Sequence, residues 1–320
     1  MQSPTVRVAV TQLEPEWIDL QSCIDKVCKY IAEAAQNGAK LVTFPECFVP
    51  GYPAWIWSRP VDPELTTRYI RNSLRRDSPE MRRIQASAAE NMINVALGFS
   101  ENDNNSLYIA QALLSSSGEM LFCRRKMKPT HMERTIFGES SGDSLLNVHD
   151  VGDGVGRVGC LNCWEHIQPL LKFHTFSQHE ELHVSAWPPL MLYTGGSELW
   201  SMSREGCRSL SQTYAVESQT FVLHTTAVIS QKGIDTMQCG PGLFGRPGGG
   251  SSAIFAPDGR QLSVDIPETE EGVIYLNLDL DMLLIAKSFA DATGHYSRPD
   301  LLSLAVSTKS KKIVTEVDTS

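Results

Sequence analysis

The chain has 320 residues, 42% of them hydrophobic and 20% charged, and a formal net charge of −9. That length allows a large buried core, while the acidic balance excludes the basic field on which non-specific nucleic-acid binding depends. The start "MQSPTVRVAVTQL" has no basic segment followed by an apolar one, and no apolar run reaches the roughly 18 residues of a membrane span. The expectation is a cytoplasmic protein that meets a small molecule, with neither nucleic acid nor membrane as partner.

In chain order, "VRVAV" (Val6 to Val10) is β-branched and suited to a buried strand. Leu20, Ile24, Val27, Cys28, Ile31 and Ala35 then recur at helical spacing as far as Asn37-Gly38, a helix stop. "KLVTF" is the next strand, and Pro45 ends it so that Glu46 stands at its carboxyl end. Ser78-Pro79-Glu80 opens a helix through about Asn91, with a capping residue ahead of a proline at the first helical position. "INVALGFS" is a strand, and "SLYIAQALLSS" with "MLFCRRKMK" forms a hairpin that ends in clustered positive charge.

"GRVGCLN" is a further strand, "IQPLLKFHTFSQHE" a helix opened by Pro169, and "LHVSAW" a strand stopped by Pro188-Pro189. Residues from about Glu198 to Val216 read as a helix, "TFVLHTTAVIS" as a strand, "SSAIFAPDGRQLSV" as a hairpin and "GVIYLNLDL" as the last strand before a closing helix. Strands alternate with helices without a long linker, which predicts one α/β domain over residues 1–306 with a layered sheet core. The polar segment 307–320 reads as a C-terminal tail.

Eight cysteines lie scattered through mostly apolar segments, the pattern of reduced thiols and not of a disulfide framework. Cys160-x-x-Cys163 has no second pair to complete a zinc site. As a redox pair it is badly placed, because Cys160 falls inside an apolar strand and residues three apart on a strand point to opposite faces. Cys160 is expected in the core. Cys163 sits just past the strand, at a turn into a helix where a thiolate can be stabilised; position alone leaves it open between packing and nucleophile.

A thiol attacking an unsaturated carbon needs a base, a cation or hydrogen-bond donor where negative charge develops, and a means of activating water. Glu46 at one strand end and Lys126 at another are candidates for the first two, with Glu133 seven residues beyond Lys126. If the strand persists, Lys126 and Lys128 share a side. Taken singly, each is as readily an ordinary surface charge.

Taken together, "GAKLVTFPECFVPGYP", "RRKMKPTHMERTIFGES" and "LNCWEHIQPLL" resemble the three signature segments of the nitrilase branch of the carbon-nitrogen hydrolase superfamily, and the likeness runs nearly end to end. "HVSAWPPL", "LWSMSREGC" and "FADATGHYSRPDLL" are similar to the fungal, arylacetonitrile-cleaving members. The resemblance implies a four-layer α-β-β-α sandwich and conversion of an organic nitrile to a carboxylic acid and ammonia with no metal or organic cofactor. It places the catalytic glutamate at Glu46, the lysine at Lys126 and not Lys128, the cysteine at Cys163 and a second glutamate at Glu133.

The same resemblance implies dimers that extend into spiral homo-oligomers. Tyr52, Trp55, Trp57 and Trp187 are candidates for an apolar wall against the substrate, with buried core as the alternative for each. Trp164, Glu165 and His166, which follow the nucleophile, complete the candidate substrate-binding set, and the Trp164 N–H is a candidate oxyanion donor. A cyanide hydratase or amidase of the same superfamily remains an alternative, as does a non-catalytic binding or assembly module.

Overall fold

A computed structural model describes residues 4–315. Eleven strands join into one branched hydrogen-bonded system with two arms. In the first arm β1 (Thr5–Leu13) pairs in parallel with β2 (Leu41–Thr43), and β2 with β3 (Asn94–Asp103); β4 (Ser106–Leu114) and β5 (Met120–Arg125) follow antiparallel. The late strand β11 (Gly272–Asp279) returns antiparallel along the whole of β1. In the second arm β6 (Val148–Asp150) pairs antiparallel with β7 (Arg157–Asn162), β7 and β8 (Leu182–Trp187) run parallel to β9 (Phe221–Ala227), and β10 (Ala253–Phe255) closes on β9. The arms join where the last residues of β1, Gln12 and Leu13, pair with Thr226 and Ala227.

The burial pattern shows that these arms stack face to face. Val6, Val8 and Val10 of β1 share one apolar cluster with Val158 and Cys160 of β7, Leu182 and Val184 of β8, and Phe221 and Leu223 of β9. Alternation sends the other face of each arm to helices. Ala9 and Leu13 of β1, with Val95 and Leu97 of β3, pack under α1 (Leu20–Gln36) and α3 (Pro79–Glu90). Leu161 of β7 and Val222 of β9 pack with Phe176 at the end of α4 (Pro169–Phe176) and with Tyr214 and Ala215 of α5 (Arg204–Ser218). The order helix, sheet, sheet, helix is the expected sandwich.

Local signals account for the element ends. Asp19 caps α1 by accepting from Ser22 N at 3.0 Å, and Asn37 followed by Gly38 at φ +80° ends it. Ser78 caps α3 with Pro79 in its first turn. Asp62-Pro63-Glu64 repeats that signal and opens α2 (Pro63–Asn72), a helix absent from the expected series. Ser203 caps α5, so this helix starts at Arg204 and not near Glu198; Trp200–Met202 form a separate 3-10 turn. Helix α4 stops at Phe176, short of the expected Glu180. A short helix α6 (Gln231–Thr236) precedes β10, and α7 (Asp281–Phe289) closes the series.

From Leu302 to the end of the described residues the chain has no regular structure, and residues 316–320 of the expected tail lie outside them. Residues 304–307 nevertheless run along a groove beside α4, and Ser310 Oγ donates to Asp143 Oδ2 at 2.8 Å. No helix among the described residues is long and apolar enough to cross a membrane.

Candidate active site

Three strand ends deliver four buried polar side chains to one place. Glu46 follows β2 across Phe44 and Pro45, and the bare Cα of Gly98 on β3 allows this turn: a Cβ there would collide with the Pro45 carbonyl. Lys126 lies one residue beyond β5 and is still tied to the sheet by its N–H, which donates to Ile109 O at 2.7 Å. Glu133 belongs to a 3-10 turn, His131–Thr135. Cys163 opens another 3-10 turn, Cys163–Ile167, directly after β7.

The Lys126 ammonium donates to Glu46 Oε1 at 3.0 Å and to Glu133 Oε2 at 2.8 Å. Glu133 is itself held by Thr130 N, which donates to Oε2 at 2.6 Å, and by the Tyr52 hydroxyl, which donates to Oε1 at 3.1 Å. Glu46 Oε2 meets no protein hydrogen-bond partner. One carboxylate oxygen from each glutamate and Cys163 Sγ all lie within 4.8 Å of one another. Such a trio has metal-ligating atoms, but the ammonium bonded to both carboxylates already supplies the positive charge at that point.

Two carboxylates against one ammonium leave excess negative charge in a buried site. Burial therefore raises the Glu46 carboxyl above its ordinary value, against the attraction of Lys126 and with the help of Glu133. Burial also raises the Cys163 thiol well above its ordinary value, opposed by Lys126. For Lys126 burial alone would lower the value, but Cys163, Glu133 and Glu46 outweigh it and keep the ammonium charged. The resting arrangement is thus a thiol that needs a base, beside a carboxylate with raised proton affinity and one free oxygen.

Three of the eleven non-glycine positive-φ residues among the described residues are found here. Cys47, His131 and Cys163 all have positive φ, at +51°, +45° and +49°, and each is one of the four residues or lies within two positions of one. Conformations of this kind cost about 1 to 3 kcal/mol per residue and persist only where surrounding contacts impose them.

Two of the four residues, Glu133 and Cys163, open on a cavity of about 400 Å³, with Glu46 and Lys126 buried behind them. Tyr52, Trp57, Trp164, Pro189, Leu190, Met202, Leu243 and Phe244 make its walls, while Glu133 and Cys163 are at its base. A second cavity of about 580 Å³, lined by α4 and residues 304–307, shares Thr130, Arg134 and Trp164 with the first but does not reach Cys163.

The candidate substrate-binding residues divide. Tyr52 and Trp164 line the cavity. Trp55 is absent from its lining, fully buried edge-on to Tyr69 at 5.2 Å. Trp57, two residues further on the same 3-10 turn, faces the cavity instead, stacked on His131 and donating from Nε1 to the Tyr52 hydroxyl at 3.1 Å. Trp187 is fully buried, its Nε1 donating to Ser185 Oγ at 2.7 Å, and it packs with Cys163 and Cys207.

Glu165 points away from the cavity into a bidentate pair with Arg124, at 2.7 and 2.6 Å, and accepts from Met127 N at 2.8 Å and Asn162 N at 2.9 Å. Although burial opposes ionisation, Arg124 holds this carboxyl below its ordinary value. The pair braces the Lys126 segment against the Cys163 turn. His166 is fully buried, with Nδ1 2.6 Å from Cys163 O.

Lys128 does not share a side with Lys126, because the strand ends at Arg125. Its side chain is 64% exposed and pairs with Glu139 at 3.0 Å. Arg124, which sequence reasoning did not single out, does share the alternation of Lys126 and is buried; that spacing was the available signal. Cys160 lies in the core between the two sheets and Cys163 in a different cluster, both as free thiols.

The family model described as carbon-nitrogen hydrolase matches residues 7–284. The chain belongs to the carbon-nitrogen hydrolase family. Among its relatives, this hydrolase is 60% identical over 315 residues to an arylacetonitrilase of Aspergillus kawachii, covering 98% of this chain and 95% of that one. It is 59% identical to an arylacetonitrilase of Hypocrea virens, at 98% and 95% coverage. A crystal structure of an amidase from Nesterenkonia sp. superposes on the hydrolase with a TM-score of 0.62 at 20% identity, over 89% of this chain and 94% of that one, a likeness of fold.

Proposed function

We propose that this hydrolase is a nitrilase acting on arylacetonitriles, releasing a carboxylic acid and ammonia. The observation that carries the reading is the cluster of Cys163, Glu46, Lys126 and Glu133, two of which, Cys163 and Glu133, line a cavity walled by aromatic and aliphatic side chains; relatives near 60% identity named arylacetonitrilase support it. The apolar walls suit an aryl group and the base of the cavity suits a nitrile carbon.

In this reading Glu46 takes the Cys163 proton through its free oxygen, and the sulfur adds to the nitrile carbon. Lys126 stabilises the nitrogen and gives it a proton, which Glu46 replaces with the one taken from Cys163, leaving a thioimidate, a charged Lys126 and an ionised Glu46. A water deprotonated by Glu46 adds to that carbon, both water protons pass to the nitrogen by way of Glu46 and Lys126, and the carbon–nitrogen bond breaks to release ammonia and leave a thioester. A second water, activated in the same way, breaks the carbon–sulfur bond and frees the acid and the thiol. Glu133 orients Lys126, Tyr52 steadies Glu133, and the Trp164 N–H is assigned to the developing oxyanion.

Residues 1–306 form the catalytic unit in this reading, with 307–320 as a tail that modulates contacts between dimers. Self-association into dimers and spiral oligomers is supported by apolar side chains left in solvent, among them Leu284, Ile285 and Phe289 on α7, each more than 60% exposed. A cytoplasmic setting fits eight free thiols.

The test compares phenylacetonitrile, an aliphatic dinitrile and cyanide at matched concentrations, with acid, amide and ammonia all quantified. Phenylacetonitrile should be the fastest and give mainly acid. Rapid conversion of cyanide to formamide with negligible action on phenylacetonitrile would replace this reading with a hydratase, and ammonia from phenylacetamide alone would replace it with an amidase. Sedimentation showing only monomer at micromolar concentration would remove the oligomer.

A further inference from the structure

From Cys163 a line of buried polar side chains runs to Glu180, and none of its other members lines the cavity. His166 Nδ1 is 2.6 Å from the Cys163 carbonyl oxygen, His166 Nε2 is 3.0 Å from His183 Nε2, and His183 Nδ1 is 2.8 Å from Glu180 Oε2. The Tyr214 hydroxyl donates to the other oxygen of Glu180. His166, His183 and Tyr214 are fully buried and Glu180 is 1% exposed. The rings pack on one another: His183 stacks on Tyr214 at 3.8 Å, and His166 stacks on Trp187 at 5.3 Å.

Counting hydrogens gives this line a direction. A carbonyl oxygen only accepts, so His166 Nδ1 carries a hydrogen. Burial, with His183 beside it, keeps the His166 ring neutral, so its Nε2 is bare and accepts. His183 Nε2 must then donate. The single hydrogen between His183 Nδ1 and Glu180 Oε2 completes the chain, whichever of the two atoms carries it.

The fold makes room for this acid. Helix α4 stops at Phe176 and the chain turns back through His179 at φ +61°, which brings Glu180 inward. On β7, Gly159 leaves the space that Glu180 Oε2 fills; a Cβ there would collide with it.

We propose that Glu180, acting through His183 and His166, is a positioning residue for the nucleophile: it selects the Nδ1–H tautomer of His166, which ties down the carbonyl of Cys163. That carbonyl belongs to the positive-φ residue whose backbone sets the direction of Sγ towards Glu46 and Lys126. The inference rests on Cys163 being the nucleophile. The role of Glu180 is to choose a tautomer, and its charge is not required.

This separates two substitutions of similar size. In Glu180→Gln the side-chain carbonyl accepts from Tyr214 and the amide donates to His183 Nδ1, so His183 keeps its hydrogen on Nε2 and His166 its hydrogen on Nδ1. In Glu180→Leu nothing holds His183, which can carry its hydrogen on Nδ1 and leave His166 free to donate from Nε2 and release Cys163 O. Glu180→Leu should lower kcat on phenylacetonitrile about 10- to 100-fold, the range for partners that orient a reacting ligand, with KM within about twofold. It should also slow alkylation of Cys163 by iodoacetamide, read by mass spectrometry. Glu180→Gln should keep kcat and alkylation rate within about threefold of the unmutated protein.

Imidazole-nitrogen NMR of the unmutated protein, with His166 identified by its loss in His166→Asn, should show Nδ1 protonated and Nε2 bare; this measurement decides the matter should Glu180→Leu fail to fold. An Nε2–H tautomer at His166, equal losses in the Gln and Leu variants, or a folded Leu variant with unchanged kcat and alkylation rate would each overturn the proposal. Absence of nitrile turnover in the unmutated protein would instead strike the functional reading, since alkylation and tautomer need no substrate.

Discussion

Lys126 donates to Glu46 Oε1 at 3.0 Å and leaves Glu46 Oε2 without a protein partner. The contact thus occupies one oxygen of the candidate base and leaves the other open, in a cluster where a Glu46 oxygen lies within 4.8 Å of Cys163 Sγ. A buried carboxylate oxygen with no partner is costly, and such an atom next to a thiol of raised proton affinity is where a proton transfer is to be expected.

Cys163→Ala should abolish turnover while leaving the unfolding transition almost unchanged, because a small side chain at a strand end is lost without stranding a charge. Mass spectrometry after slow turnover or alkylation should locate the adduct on the peptide "LNCWEH" at Cys163. An adduct on Cys160, which is fully buried between the sheets, would contradict the assignment.

Lys126→Ala should cost on the order of a hundredfold or more in kcat, the usual loss when a preorganised donor is removed from a reacting centre. Lys128→Ala should stay within about twofold, since its exposed pair with Glu139 is of the kind that contributes little. Turnover should also survive a chelator, because Lys126 supplies the cation between Glu46 and Glu133.

The acid limb of kcat/KM should lie above the ordinary carboxylate range. Burial raises Glu46 from its ordinary 4.5, and the base works only when deprotonated, so activity falls as pH drops through the raised value. Stability runs the other way for this group. Its folded value exceeds its unfolded one, so its contribution is full below about 4.5 and is lost as pH rises through the folded value. Rate profiles of the unmutated protein and of Glu133→Gln, which removes one neighbouring negative charge, should show the limb moving to lower pH in the variant. No movement would mean that Glu46 does not set it.

Arg124→Met should destabilise the fold by about 3 to 5 kcal/mol, because it leaves the Glu165 carboxylate buried and unpaired. Arg124→Met combined with Glu165→Met should recover much of that loss in denaturant unfolding. Activity need not return with it, since the double variant lacks the brace between the Lys126 segment and the Cys163 turn.

Much of the architecture was readable in short stretches. The capping residue Ser78, the proline stop before Glu46 and the alternation of Val6, Val8 and Val10 act within a few residues, so local spacing was enough to place these elements and the residues at their ends. The motifs around Glu46, Lys126 and Cys163 carried the family in the same way. Spacing did not determine direction. Trp55 and Trp57 differ by two positions in one turn, and only the packing of Trp55 on Tyr69 decides that Trp57 faces the cavity. The strand after Arg125 could have continued; its end is what separates the buried Lys126 from the exposed Lys128. Lys126 meets Glu46 across 80 residues, and Arg124 meets Glu165 across 41. Contacts of that range form when two sheets stack and their edges close on each other, and no local pattern specifies them. The sequence by itself determined most of the elements, their order and the candidate reacting residue types; the stacked sheets decided which of these residues share one buried site and which brace it from behind.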